Sequence, residues 1–183
     1  MSVVEKLSKN EVKLTIEVRA ELFAHEIEHV YPEVSKDALD HIDMDTLLIV
    51  VDVHTPNMVM APKLLEKVTK VVVIDHHRRA EDYIESPVFN HIDPAASSTC
   101  EIVAEFIRFS SINPRIELPA TYATIMMSGI FLDSSYFKSK STGIRTFEAS
   151  TILKEYGADN ALADDFTYAF ITLFYDFGGY DIA

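Results

Sequence analysis

Two unbroken apolar stretches, each ending in an aspartate, dominate the pattern of hydrophobic and polar positions. They cover residues 46–52 and 70–75, and end at Asp52 and Asp75. A buried strand of a parallel sheet has this pattern because both of its faces are covered. Helix-forming residues occupy positions 61–69 between them, which predicts a strand–helix–strand unit of an α/β fold. Ligands gather beyond the carboxyl ends of such strands, so we expect both aspartates at the functional edge.

Helical patterns follow the second apolar stretch. Ser98 and Glu101 have the spacing of a capping box, which satisfies backbone N–H groups at a helix N-terminus. Gly157 stands where a residue with positive φ commonly ends a helix. The helices predicted here cover residues 100–109, 118–130 and 146–156. Towards the N-terminus we expect a short strand at 12–16 and helices at 17–30 and 35–41.

The composition fits one soluble domain. The 183 residues are enough to bury a sizeable core, and 48% hydrophobic with 25% charged residues is ordinary for a globular protein. No apolar run approaches the roughly 20 residues that cross a bilayer, and the first residues do not resemble a signal peptide. Cys100 is the only cysteine, so we expect no internal disulfide and a cytoplasmic location.

The net charge of −13 argues against binding to duplex nucleic acid, which requires clustered Lys and Arg. It does not argue against a phosphate ester as substrate. Carboxylates that hold divalent cations count as negative in the sequence but form a locally positive site.

Asp75-His76-His77 is the strongest chemical signal in the chain. A carboxylate and two imidazoles at a strand end combine oxygen and nitrogen ligands, which suit manganese, iron or zinc better than calcium. The plainer interpretation is a turn-capping Asp followed by solvent-exposed histidines. Arg78 and Arg79 follow directly, on an acidic chain and at a functional sheet edge, so we favour a metal and phosphate site.

Five strings of residues resemble the DHH phosphoesterase superfamily in order and spacing. The likeness is greatest to the catalytic DHH domain of membrane-associated bacterial cyclic-di-AMP phosphodiesterases. It implies a three-layer, Rossmann-like parallel-sheet domain at residues 42–160, between an N-terminal segment of the domain (1–41) and an aromatic-rich tail of unassigned role (161–183). The strings cover residues 48–54, 71–79, 93–101, 128–134 and 141–149.

The resemblance implies roles for individual residues. Family members bind two Mn²⁺ ions, and a hydroxide between the ions attacks phosphorus. By position, Asp52, His76 and Asp133 are expected to be metal ligands. His77 is expected to face the substrate phosphate, and Asp75 to orient a ligand histidine or a metal-bound water. The expected substrate contacts are side chains with donor groups, although capping is an alternative for the hydroxyls: Arg78, Arg79, Ser97, Ser98, Thr99 and Arg145.

The first family motif, a His followed by Asp-x-Asp, does not match at the expected distance. Asp43 and Asp45 follow His41 with the right letters, but they precede the strand at 46–52 and would lie at its opposite end. We interpret this string as coincidence, and expect a domain that lacks its first strand and binds one Mn²⁺ ion or none.

The function expected from the resemblance is metal-dependent hydrolysis of cyclic-di-AMP or a short oligonucleotide. The substrate-binding DHHA1 domain of the family is also missing from the pattern. The activity of this chain alone therefore stays open, and a partner chain would have to supply both missing parts. The alternative is a truncated, inactive remnant or split subunit that acts as an interaction module.

A second motif points to different chemistry. His25-Glu26-Ile27-Glu28-His29 matches the H-E-x-x-H pattern of zinc proteases, in which two histidines share a helix face. Only three positions are specified, no third ligand is evident, and Pro32 interrupts the helix. We therefore favour a solvated helix over a metalloprotease.

Overall fold

The computed structural model describes residues 2–8, 11–16, 42–59, 62–111 and 116–176. The helices expected at 17–30 and 35–41, and with them the H-E-x-x-H motif, lie outside the described residues. The chain divides into two compact units, Met1–Pro94 and Ala95–Ala183.

The first unit contains a five-stranded sheet with the order β2-β1-β3-β4-β5. The three strands β3, β4 and β5 are parallel to one another, whereas β1 pairs antiparallel with both β2 and β3. The strands are β1 (Ser2–Ser8), β2 (Glu11–Ile16), β3 (Leu47–Val51), β4 (Lys70–Asp75) and β5 (Phe89–Ile92).

The two predicted strands pair in the core of this unit. Val50 of β3 lies opposite Val73 of β4, and both side chains are buried. Between the strands the chain forms one 3₁₀ turn (Pro56–Met58) and helix α1 (Pro62–Lys67). Leu64 of α1 joins the same hydrophobic cluster as the buried strand residues, which is why a strand–helix–strand unit forms here.

The α/β fold with a parallel sheet is confirmed, and the strand predicted at 12–16 is present as β2. The pattern did not predict β1, its antiparallel pairing with β3, or β5. β5 has four residues, including the polar Asn90 and His91, so it carries no apolar run by which to find it.

The second unit consists of helices in the part that the structure describes. The N-terminus of α2 has the predicted cap: Ser98 Oγ accepts from Glu101 N at 3.0 Å. The chain leaves α4 through Gly157, whose φ of 91° is a conformation that glycine adopts without steric cost. The helices are α2 (Thr99–Phe109), α3 (Ala120–Asp133), α4 (Ile144–Glu155) and α5 (Asn160–Asp176).

Helix α5 takes up most of the aromatic-rich tail and packs on α3. Ala163 is fully buried, and Thr167 Oγ1 donates to the carbonyl of Ser128 at 3.2 Å. Residues 160–176 therefore contribute to the core of this unit rather than forming a separate tail. Among the described residues no helix combines the length and the apolar character needed to cross a membrane.

Candidate metal and phosphate site

Asp52, His76 and His77 converge beyond the carboxyl ends of β3 and β4. One ligand atom from each of these three side chains lies within 4.8 Å of the others. Asp52 Oδ1 and His76 Nε2 are 3.5 Å apart. Asp52 adopts a φ of 65°, which Asp tolerates better than most residues, and its backbone N–H donates to the carbonyl of Ile74 at 2.9 Å.

This donor set fits a transition-metal ion. Two ligand atoms that are each about 2.1 Å from one ion, at angles of about 90–110°, lie about 3.0–3.4 Å apart. The separation of 3.5 Å between Asp52 Oδ1 and His76 Nε2 is close to this range. His77 is more than half exposed and Asp52 is 39% exposed, so an ion can reach the cluster. One carboxylate and two imidazoles suit manganese, iron or zinc.

Asp75 lies beneath this cluster and is completely buried. Its Oδ1 accepts from the backbone N–H groups of His76 and His77, at 2.7 and 3.1 Å, and from His77 Nδ1 at 2.7 Å. Its Oδ2 lies 2.5 Å from His54 Nδ1. Burial by itself would raise the pKa of Asp75, but the hydrogen bonds from His77 and His54 outweigh it and hold the pKa well below its usual range. Asp75 is therefore an ionised acceptor.

His54 is a residue of this site that sequence reasoning missed. It is almost fully buried, and besides its contact with Asp75 its Nε2 accepts from the backbone N–H of Ala80 at 2.9 Å. Asp75 stands 21 positions away in the chain, so no local spacing connects the two. The available signal was the position two residues after Asp52, at the same sheet edge.

Arg78 and Arg79 follow His77 on the surface of the same unit, where both are exposed. The Arg79 guanidinium lies 5.4 Å from the centre of the Tyr83 ring, within the range of a cation–π interaction. Substrate binding by either arginine stays a prediction.

The remaining predicted residues belong to the second unit. Asp133 is the last residue of α3 and is partly buried. Arg145 forms two 2.8 Å hydrogen bonds with the carboxylate of Glu105, a bidentate pair that joins α4 to α2. Their roles towards metal and phosphate stay predictions.

Ser97, Ser98 and Thr99 are all buried at the N-terminus of α2. Ser98 caps the helix, and the Ser97 hydroxyl donates to the carboxylate of Glu101 at 2.7 Å. Capping therefore accounts for Ser98, as the alternative interpretation had it. Phosphate binding by these three residues remains a prediction.

The Asp-x-Asp string lies at the start of β3, as predicted, away from the edge that carries Asp52. Asp45 pairs with Lys70 Nζ at 3.3 Å, and Asp43 Oδ1 accepts from the Thr46 hydroxyl at 3.0 Å. Both aspartates thus have local structural contacts at the opposite end of the strand.

The family model described as the DHH family, N-terminal domain, matches residues 2–130. The chain belongs to the DHH family. The residues matched by this model include the whole Asp52–His76–His77 cluster, together with His54 and Asp75.

Curated relatives of this DHH domain include phosphodiesterases and pyrophosphatases. It is 42% identical over 157 residues to the cyclic-di-AMP phosphodiesterase PdeA of Listeria monocytogenes, covering 82% of this chain and 23% of PdeA. It is 40% identical over 131 residues to the cyclic-di-AMP phosphodiesterase GdpP of Bacillus subtilis, covering 72% of this chain and 19% of GdpP. It is 31% identical over 132 residues to a probable manganese-dependent inorganic pyrophosphatase of Thermotoga maritima, covering 69% of this chain and 23% of the pyrophosphatase. The DHH domain thus spans about a fifth of the length of these relatives.

Among solved structures, an exopolyphosphatase-related protein from Bacteroides fragilis resembles the fold. The TM-score is 0.61 with 20% sequence identity, over 76% of this chain and 39% of that one. At this identity the likeness concerns the fold alone.

Proposed function

We propose that this DHH domain is the catalytic part of a metal-dependent phosphodiesterase, with cyclic-di-AMP or a short linear oligonucleotide as substrate. The observation that carries the proposal is the convergence of Asp52, His76 and His77 within 4.8 Å at the carboxyl edge of the sheet. The activity named for PdeA and GdpP, at 42% and 40% identity, gives the substrate class.

Manganese is the proposed metal, with Asp52 and His76 as ligands. The donor set accepts it, and the Thermotoga maritima relative is named as manganese-dependent. When bound, such an ion neutralises charge on phosphate oxygens and makes a coordinated water more acidic. Asp133 is proposed as a further carboxylate ligand, on the resemblance alone.

His77 is proposed as the residue that faces the substrate phosphate. Its Nδ1 is engaged by the ionised Asp75 at 2.7 Å, so Nε2 is the ring nitrogen that we propose to face the phosphate. To donate to a phosphate oxygen through Nε2 the ring must carry a proton on both nitrogens, and the ionised Asp75 at Nδ1 favours that form and holds the ring in one orientation. Asp75 takes no part in bond making in this proposal; its role is to orient His77.

Arg78, Arg79 and Arg145 are proposed as substrate contacts of lower priority. The guanidinium of Arg145 is already paired with Glu105, which makes a structural role compete with phosphate binding. We propose a cytoplasmic location, which agrees with Cys100 being the only cysteine in the sequence.

The test is to incubate the full chain with Mn²⁺ and cyclic-di-AMP, then with the linear dinucleotide, and to separate the products by chromatography. We expect Asp52→Asn to lower kcat/KM by more than the about 10–100-fold that is typical of losing an outer-shell partner, because it removes a negatively charged ligand atom. Asp45→Asn is the matched control: it makes the same change at the other end of β3 and should leave kcat/KM unchanged.

A second matched pair tests the histidine ligand. His76→Ala should abolish turnover, whereas His91→Ala, on β5, should not. Mn²⁺ binding without turnover of either substrate would contradict the catalytic proposal and favour the inactive-module alternative, or a site completed by a partner chain. Equal loss of activity in Asp45→Asn and Asp52→Asn would contradict the assignment of the site.

A further inference from the structure

We infer that His54 is a positioning residue: through Asp75 it fixes the tautomer and orientation of His77. The consequence for catalysis rests on the proposed function, but the positioning itself does not. His54 is 96% buried and touches Asp75 directly, and the resemblance implies no role for it.

The hydrogen bonds of His54 determine which of its nitrogens carries the proton. The backbone N–H of Ala80 can only donate, so His54 Nε2, which lies 2.9 Å away, must be the unprotonated nitrogen. The proton of the neutral ring is therefore on Nδ1, directed to Asp75 Oδ2 at 2.5 Å. The fixed backbone of Ala80 thereby makes His54 a dedicated donor to Asp75.

The contact with His54 determines which hydrogen bonds each of the two Asp75 carboxylate oxygens accepts. With Oδ2 used by His54, Oδ1 receives the N–H groups of His76 and His77 and the Nδ1 of His77. Turning the buried carboxylate would break all of these bonds at once, and unpaired buried groups are costly. Because an ionised carboxylate only accepts, His77 Nδ1 must carry a proton, and Nε2 is the ring nitrogen on the side away from Asp75.

The same side chain ties the two ligand-bearing turns together. His54 lies two residues after Asp52 on the turn that follows β3, while Asp75 ends β4 just before His76. The His54 carbonyl also accepts from the backbone N–H of Ile84 at 2.8 Å, which holds the segment beyond Ala80. His54 therefore presets the spacing of Asp52 and His76 before any ligand binds.

Three variants separate the two ends of the ring. His54→Asn places an amide near the Nδ1 position, so it retains a donor to Asp75. His54→Gln places its amide near the Nε2 position, so it retains the contact with Ala80 but loses the donor. His54→Leu keeps the approximate volume and loses both bonds.

The first readout is the ¹⁵N chemical shifts of the His77 ring in the metal-free protein, by long-range ¹H–¹⁵N correlation at pH 8. In the wild type we expect one protonated Nδ1 and one unprotonated Nε2. His54→Leu and His54→Gln should shift both signals towards the average of a tautomer mixture, while His54→Asn should resemble the wild type. A purely structural role for His54 would not order the variants in this way.

The second readout is the Kd for Mn²⁺ by calorimetry. We expect it to weaken by about 10–100-fold in His54→Leu and His54→Gln, the usual effect of losing a residue that orients a ligand, and by much less in His54→Asn. If His54→Leu does not fold, the Asn and Gln pair decides the question. Wild-type shifts and wild-type Kd in His54→Gln would overturn the inference.

The outcome for His54 is separable from that for the proposed function. If the wild-type chain hydrolyses neither dinucleotide but the His77 shifts and the Mn²⁺ Kd follow the expected order, the positioning role stands and the phosphodiesterase proposal fails. If the wild type is active and the three variants show no order, the positioning role fails alone.

Discussion

At the scale of single residues, a buried charge holds the candidate site together. Asp75 has no exposed surface, yet it is kept ionised because His54, His76 and His77 all donate to it. An isolated buried carboxylate would take up a proton instead, since desolvation disfavours its charged form. The hydrogen bonds therefore do two things: they stabilise the charge and they fix the residues that carry them.

The lowered pKa of Asp75 predicts how stability depends on pH. A group whose folded-state pKa lies below its ordinary value of 3.8 stabilises the fold fully above that value, and this contribution is lost as the pH falls through the lowered pKa. The unfolding midpoints of the metal-free wild type and of Asp75→Asn should therefore differ most near neutral pH and converge as the pH falls below about 4. Thermal unfolding followed by circular dichroism measures this, and a constant difference between pH 7 and pH 3 would contradict it.

Sequence reasoning identified some residues of the candidate site and missed others. Asp52, Asp75, His76 and His77 could be predicted because they follow apolar runs directly, so their position at the sheet edge follows from strand direction. His54 could not, because its importance depends on a partner that the fold brings to it.

At the scale of elements, small residues set how closely α2 and α3 approach. A Cβ added at Gly129 of α3 would lie 2.6 Å from Cys100 Sγ on α2, well inside van der Waals contact. Cys100 thus has a packing role in the second unit. From the sequence, Cys100 indicated only that no internal disulfide can form.

We expect Gly129→Ala to destabilise the protein by about 1–2 kcal/mol, because the steric cost of overpacking exceeds the gain in helix propensity. In a Cys100→Ala background the same substitution should be neutral or stabilising, so the double-mutant cycle should show coupling. Urea unfolding gives the free energies. Equal losses from Gly129→Ala in the wild-type and Cys100→Ala backgrounds would refute the packing argument.

Helix α5 is formed by an aromatic-rich segment to which the sequence assigned no role. The sequence left residues 161–183 without a role, yet in the structure Ala163 and Thr167 are buried and residues 160–176 form one helix. Its place in the core is decided by contact with α3, which the local pattern does not report.

At the scale of the whole molecule, an acidic chain carries the Asp52–His76–His77 cluster in the first of two compact units. The net charge is −13, and Asp52, His76 and His77 all belong to the first unit. Binding of a cation to the folded state alone stabilises that state by mass action, to an extent set by the ratio of ligand concentration to Kd.

We therefore expect Mn²⁺ at about 100 times its Kd to stabilise the chain by about 2.7 kcal/mol. Hydrogen exchange should slow mainly around residues 52–54 and 75–80, since these segments carry the proposed ligands Asp52 and His76 and the hydrogen bonds that support them. His76→Ala should lose both effects and His91→Ala should retain them. Slowing confined to the second unit would contradict the assignment of the cluster as the metal site.

The sequence by itself determined the strands β3 and β4, the helices α2, α3 and α4, and the sheet edge at which Asp52, His76 and His77 converge. Periodicity and strand direction are local properties, and the DHH strings supplied the family. The tertiary structure decided the antiparallel pairing of β1, the packing of α5 and the bond from His54 to Asp75. These features depend on contacts between residues that are distant in the chain, and no local pattern encodes such contacts. In the sequence alone, His54 therefore has no assigned role.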